Sequence, residues 1–134
     1  MSLPGMKDGK TVIAVPSLGS GGLDAPVSAH FGHCDVFTLV TLSQESDGSD
    51  CRIVPGIPHE HGGCMAPVRL LAESGANVMI AVGMGRRPLL GFAQVGIRVF
   101  HCGDASTVGE AVSAFRSGGL MQFDVNQACG DHHH

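Results

Sequence analysis

Short apolar, β-branched runs alternate with helical stretches through the second half of the chain, and this alternation constrains the fold more than any other feature. Val78 to Val82 and Ile97 to Phe100 each read as a buried strand. Between them Pro88 opens a helix carrying Leu89, Phe92 and Ala93, closed by Gly96. Ahead of them Pro67 suits the first turn of another helix, with Val68, Leu71 and Ala72 on one face and Gly75 as its stop. Behind them Thr107-Val-Gly-Glu110 is a capping box, with Val108, Ala111, Val112 and Phe115 at helical spacing and Gly118-Gly119 beyond. Strand–helix–strand units of this kind pair in parallel through right-handed crossovers.

The first half adds strands without helices. Thr11 to Val15 reads as a central buried strand stopped by Pro16. Val36 to Leu42 is a second strand, Ser43 to Asp50 a polar turn, and Cys51 to Val54 a short returning strand ended by Pro55. The predicted order β, β, β, α, β, α, β, α makes an α/β domain of three layers, a mixed sheet with helices on both faces. Ligands of such sheets bind beyond the carboxyl ends of the parallel strands. Here those ends follow Val15, Val82 and Phe100, where the chemically suggestive residues fall.

A chain of 134 residues is one domain with a real core. Eight Lys and Arg against 12 Asp and Glu disfavour a phosphate-tracking surface, so nucleic acid is not the expected partner. The apolar run Val78 to Val82 is far too short to span a bilayer. Five cysteines, an odd number with no signal peptide ahead of them, point to a cytoplasmic protein with free thiols, where such residues serve metals or catalysis. Met1 to Gly5 reads as a vector leader, and the run His132 to His134 is set aside as native or tag.

The chemistry concentrates in four places. His30-Phe-Gly-His33-Cys34 precedes the second strand, and His59-Glu-His61-Gly62-Gly63-Cys64 leads into the first helix. Met84-Gly-Arg86-Arg87 follows a buried strand, and His101-Cys102 ends another. These soft and borderline donors suit copper, zinc or iron–sulfur species. No Cys-x2-Cys pair exists, which disfavours a closed four-ligand zinc knuckle and favours an open cavity lined by several loops. Cys64 lies just ahead of Pro67, where the helix amides and dipole favour a thiolate or a bound anion. Gly62 and Gly63 let backbone approach a ligand, and Arg86 supplies counter-charge. Equally, His30 and His33 serve as loop caps, Arg86-Arg87 as a solvated turn and Met84 as filler. Cys102 is either packed or a donor, while Cys51 is expected to be a small buried hydrophobe. The glycine loop Ser17 to Gly22 lacks the Lys-Ser/Thr end of a P-loop, and no hydrolase or zincin motif is present.

The strand Val-Ile-Ala-Val-Pro16, the segment Ser28-Ala-His-Phe-Gly32, and the later Ala-Val-Gly-Met-Gly85, Gly96-Ile-Arg-Val-Phe100 and Thr107-Val-Gly-Glu-Ala111 resemble the dinitrogenase iron–molybdenum cofactor biosynthesis family. The tail Asn126-Gln-Ala-Cys-Gly130 is similar as well, so the likeness runs from about Lys10 to the C-terminus. The resemblance implies a ribonuclease H-like fold with a five-stranded mixed sheet. It also implies a non-enzymatic role: binding, storing or delivering a molybdenum-containing metal–sulfur cluster. That cluster is of the iron–molybdenum type or, as in the orange proteins, the molybdenum–copper sulfide type, with copper or iron as further metals. Docking to a recipient metalloenzyme or a P-loop ATPase is a further reading compatible with this one, and no membrane is expected. The ribonuclease likeness concerns architecture alone, since its acidic catalytic set is missing. The donor-rich loops depart from the simpler loops of many relatives.

The expectation is therefore a leader over residues 1–9, a single cluster-binding domain over 10–122 and a flexible Cys/His tail over 123–134. The cluster seat comprises His30, His33, Cys34, His59, His61, Gly62, Gly63, Cys64, Met84 and Arg86, with His33, Cys34, His61 and Cys64 as direct metal ligands. Two other readings use the same residues: a simple zinc or copper site, and a Cys64-dependent thiol enzyme.

Overall fold

A computed structural model of the protein describes residues 10–29, 34–43, 47–56 and 66–123. The elements are β1 (Lys10–Ser17), β2 (Val36–Ser43), β3 (Asp47–Pro55), α1 (Ala66–Glu73), β4 (Val78–Ala81), α2 (Arg86–Gln94), β5 (Arg98–His101) and α3 (Val108–Arg116). They form one five-stranded sheet in the order β3-β2-β1-β4-β5. β1 pairs antiparallel with β2 and β2 with β3, while β1–β4 and β4–β5 are parallel, so the sheet is mixed.

Alternation along each strand divides the core in two. Ala14, Phe37, Leu39, Met79, Ala81 and Val99 pack with Val68 and Leu71 of α1 and Leu89 and Phe92 of α2. Ile13, Val15, Val40, Leu42, Ile80 and Phe100 face the other way and pack with Val108, Ala111, Val112 and Phe115 of α3. The result is three layers, helices on both faces of a sheet whose central strands are buried from both sides. Among the described residues no helix is long and apolar enough to cross a membrane.

Local signals hold at the helix ends. Gly75, Gly96 and Gly118 take φ of +88°, +81° and +81°, the left-handed conformation that ends a helix. Thr107 Oγ1 accepts from Glu110 N–H at 3.2 Å, as the capping box predicts. The return contact goes one residue further back, since Glu110 accepts from the backbone N–H of Ser106 at 2.8 Å and from its hydroxyl at 3.0 Å.

Four expectations change, the first being that β1 runs through Pro16 to Ser17 and does not stop at the proline. β3 begins at Asp47, so the polar run read as a turn contributes its second half to a strand. Cys51 is exposed, not buried. β3 is an edge strand whose Val54 faces the α1/α2 core, which turns Cys51 and Ile53 to the other face beyond the cover of α3. Finally, α2 starts at Arg86, two residues before Pro88, which places both arginines inside the helix and not in a turn ahead of it.

Candidate functional site

The register brings five chain segments to one edge of the sheet. Ser17, the last residue of β1, lies opposite Val36, the first of β2, and Val36 lies opposite Pro55, the last of β3. The carboxyl ends of β4 and β5 lie on the same side, because both run parallel to β1. From this edge leave the glycine loop after β1, the segment before β2, the segment after β3, and the turns into α2 and α3.

The glycine loop is held by a chain of hydrogen bonds that begins in the core. The Ser17 hydroxyl donates to the Val15 carbonyl at 2.7 Å, which leaves the Thr38 hydroxyl to donate to Ser17 Oγ at 2.9 Å. Thr38 Oγ1 in turn accepts from Gly22 N–H at 3.1 Å. Gly19 N–H donates to the Asp35 carboxylate at 2.7 Å. Gly21, at φ +76°, leaves no room for a side chain: a Cβ would stand 2.8 Å from Val36 Cγ2 and 2.9 Å from Ile53 Cδ1. The loop is thus pinned, with its backbone against the start of β2 and the end of β3.

Two of the helix starts at this edge, those of α2 and α3, differ. At α3, Val108 N–H donates to Ala25 O, Gly109 N–H to Leu23 O, and Glu110 N–H to Thr107 Oγ1. That end is closed by the chain itself. At α2, Gly85 is the N-cap and offers no side-chain hydrogen bond, and the first turn holds no acidic residue. Among the described residues the first intrahelical bond runs from Leu89 N–H to Gly85 O at 3.3 Å, so the amides of Arg86 and Arg87 precede the helix's own hydrogen-bond ladder. Both arginine side chains are exposed there. Two cations at the positive end of a helix dipole oppose folding by about 0.3–1 kcal/mol each. A bound anion relieves that conflict.

Of the residues assigned to the cluster seat from sequence, Cys34, Met84 and Arg86 are described. Cys34 is buried, 6% exposed, in the core beneath α1 and α2. Burial pushes its thiol from the ordinary 9.0 to about 11, against the opposing pull of the Ser17 backbone. It is a neutral thiol at physiological pH. Met84 belongs to the same apolar cluster, 3% exposed, so its loop position does not bring its thioether to the surface. Arg86 opens α2. His30, His33, His59, His61, Gly62, Gly63 and Cys64 lie outside the described residues. The residues bordering them are at the edge just defined: Ser28 N–H donates to Pro16 O at 2.7 Å, and Gly56 N–H donates to Asp35 O at 3.0 Å.

Cys102 is buried in the α3-side core, and its thiol is likewise pushed up by burial, with Asp104 adding to the effect. His101 is exposed, and its Nδ1 accepts from Gly103 N–H at 2.9 Å. Among the described residues no three His, Cys, Asp or Glu side chains come together as a metal-holding group.

Sequence reasoning missed Asp35, Thr38 and Gly56. A Cβ on Gly56 would come within 2.2 Å of the Cys34 carbonyl oxygen, so only glycine lets the end of β3 cross the start of β2. The one local sign was a glycine directly after a strand-ending proline, and nothing local marked its partner.

The family model described as dinitrogenase iron-molybdenum cofactor matches residues 10–118. An uncharacterised protein of Methanocaldococcus jannaschii is 27% identical over 100 residues, 73% of this chain and 83% of that one. The apo form of the orange protein from Desulfovibrio gigas superposes with a TM-score of 0.70 at 25% identity, over 84% of this chain and 92% of that one. A NifB-like Thermotoga protein of the DUF35 family, solved by NMR, gives 0.67 at 27% identity over the same shares.

Proposed function

This chain belongs to the dinitrogenase iron-molybdenum cofactor family, and from that premise we propose that it binds and hands on an anionic, molybdenum-containing metal–sulfur cluster at the carboxyl edge of β1 and β4. The cluster is cargo, and the protein performs no reaction on it. The observation that carries this reading is the contrast between the starts of α2 and α3 at that edge. Among the described residues α3 engages its own first-turn amides, whereas α2 has no side-chain cap and no acidic residue in its first turn, and the Arg86 and Arg87 side chains are exposed there. Such an arrangement costs stability in the empty protein and returns it when an anion binds. Likeness to a protein whose structure was solved in its apo form supports a removable ligand.

The donor-rich segments around His30, His33, His59, His61 and Cys64 supply the soft contacts in this reading. Cys34 joins them only on losing its proton, since a thiol must become a thiolate to ligate metal. A reducing cytoplasm is the setting this reading assigns, because Cys34, Cys51 and Cys102 form no disulfide. A nitrogenase-like metalloenzyme is the recipient that the family description suggests.

Reconstitution tests it. Purified full chain mixed with tetrathiomolybdate and copper, then gel-filtered, retains molybdenum and sulfide in fixed stoichiometry with the protein. Retention of a divalent metal without sulfide indicates the simpler zinc or copper site. Protein that elutes without molybdenum or other metal refutes the cluster reading.

A further inference from the structure

The glycine loop of this protein already carries an anion, and it is the protein's own. Gly19, at φ +67°, donates its N–H to the Asp35 carboxylate at 2.7 Å, on the exposed surface of the edge from which the donor-rich segments leave. Asp35 also anchors the end of β3, its carbonyl accepting from Gly56 N–H at 3.0 Å. The loop needs no carboxylate to keep its shape. Gly22 N–H is held by Thr38 Oγ1 at 3.1 Å, and Gly21 is wedged among Val36, Thr38 and Ile53. The Asp35 side chain therefore adds a negative charge beside the Gly19 amide, whereas the Gly21 and Gly22 N–H groups are taken by Leu18 O and Thr38 Oγ1.

We infer that Asp35 sets the charge this edge accepts: its carboxylate holds the Gly19 amide until a more highly charged anion displaces it. The inference rests on the cluster-binding reading above. It makes Asp35 a positioning and selectivity residue, distinct from any metal ligand. A dianion about 6 Å from one carboxylate, in water at physiological salt, is disfavoured about 3- to 10-fold.

The test is titration of the full chain with tetrathiomolybdate alone, followed by visible absorbance and by the Gly19 amide in nitrogen-15 NMR. Asp35→Asn keeps an oxygen for Gly19 N–H but loses the charge, so it binds about 3- to 10-fold tighter with an unchanged unfolding midpoint. Asp35→Glu keeps the charge, so its affinity stays within about 2-fold of the unaltered protein. The Gly19 resonance moves on saturation in the unaltered protein. Equal affinity for Asp35→Asn and the unaltered protein overturns the inference, and so does an Asp35→Glu variant that behaves like Asp35→Asn. A Gly19 amide that stays put at saturation also overturns it. Those three outcomes leave the cluster-binding reading standing. Absence of binding in all variants sinks both.

Discussion

Cys34 makes the protein weaken at alkaline pH in a way that can be calculated. Its thiol is raised from the ordinary 9.0 to about 11, chiefly because the core beneath α1 and α2 desolvates the thiolate. Below about pH 9 the thiol is protonated in both folded and unfolded chains, so it contributes the same at every pH. Above that, the unfolded chain releases its proton first and is favoured, and stability falls until the folded thiol also ionises near 11. A displacement from 9.0 to about 11 corresponds to about 2–3 kcal/mol in total, of which about 2 kcal/mol is lost by pH 10.5. Few other groups compete in this window, because the chain has no tyrosine and its lysines are Lys7 and Lys10. Cys102, also buried and also raised, adds in the same direction. The assay is urea unfolding under reducing conditions from about pH 8 to 10.5, comparing the unaltered chain with Cys34→Ala. The variant starts lower, because a small buried group is gone, but declines less by about 2 kcal/mol, roughly 1 M in urea midpoint. Identical alkaline declines would refute the desolvation argument. They would also remove the reason for treating Cys34 as a protonated thiol that must release a proton to bind metal.

Thr11 is fully buried and its hydroxyl oxygen has no hydrogen-bond partner among the described residues. Thr11→Val removes that orphan without changing shape and raises stability by about 1–2 kcal/mol, read as a melting-temperature gain of several degrees. Gly56→Ala forces a Cβ to within 2.2 Å of the Cys34 carbonyl oxygen, so strand ends must separate and the Gly56–Asp35 bond is lost. It costs about 2–4 kcal/mol in urea unfolding and lowers tetrathiomolybdate retention on gel filtration. Arg87→Glu replaces a cation at the positive end of α2 with an anion. The variant gains up to about 1 kcal/mol in stability yet binds tetrathiomolybdate at least several-fold more weakly, a trade measured by melting and titration together.

Local chemistry made much of the fold legible. Thr107 and Glu110 announced α3, Gly75, Gly96 and Gly118 announced three helix ends, and the apolar runs announced the strands, because each signal is satisfied within a few residues of itself. Arg86 misled because Pro88 is a good helix opener, while any of the first three positions tolerates it. Cys34 read as a surface donor because it ends a histidine-containing loop, and Met84 because it sits between glycines ahead of two arginines. Their burial depends on α1 and α2 crossing above them, which no neighbouring residue encodes.

Periodicity, caps and glycine stops were enough to establish an α/β chain with ligand chemistry gathered at strand ends, since those features answer to forces acting over a single turn or strand. Strand order answers to long-range burial, and it alone made β3 an edge, exposed Cys51 and carried Gly56 across Cys34. Asp35 and Gly19 are 16 residues apart, and their contact exists because antiparallel pairing sets Ser17 opposite Val36.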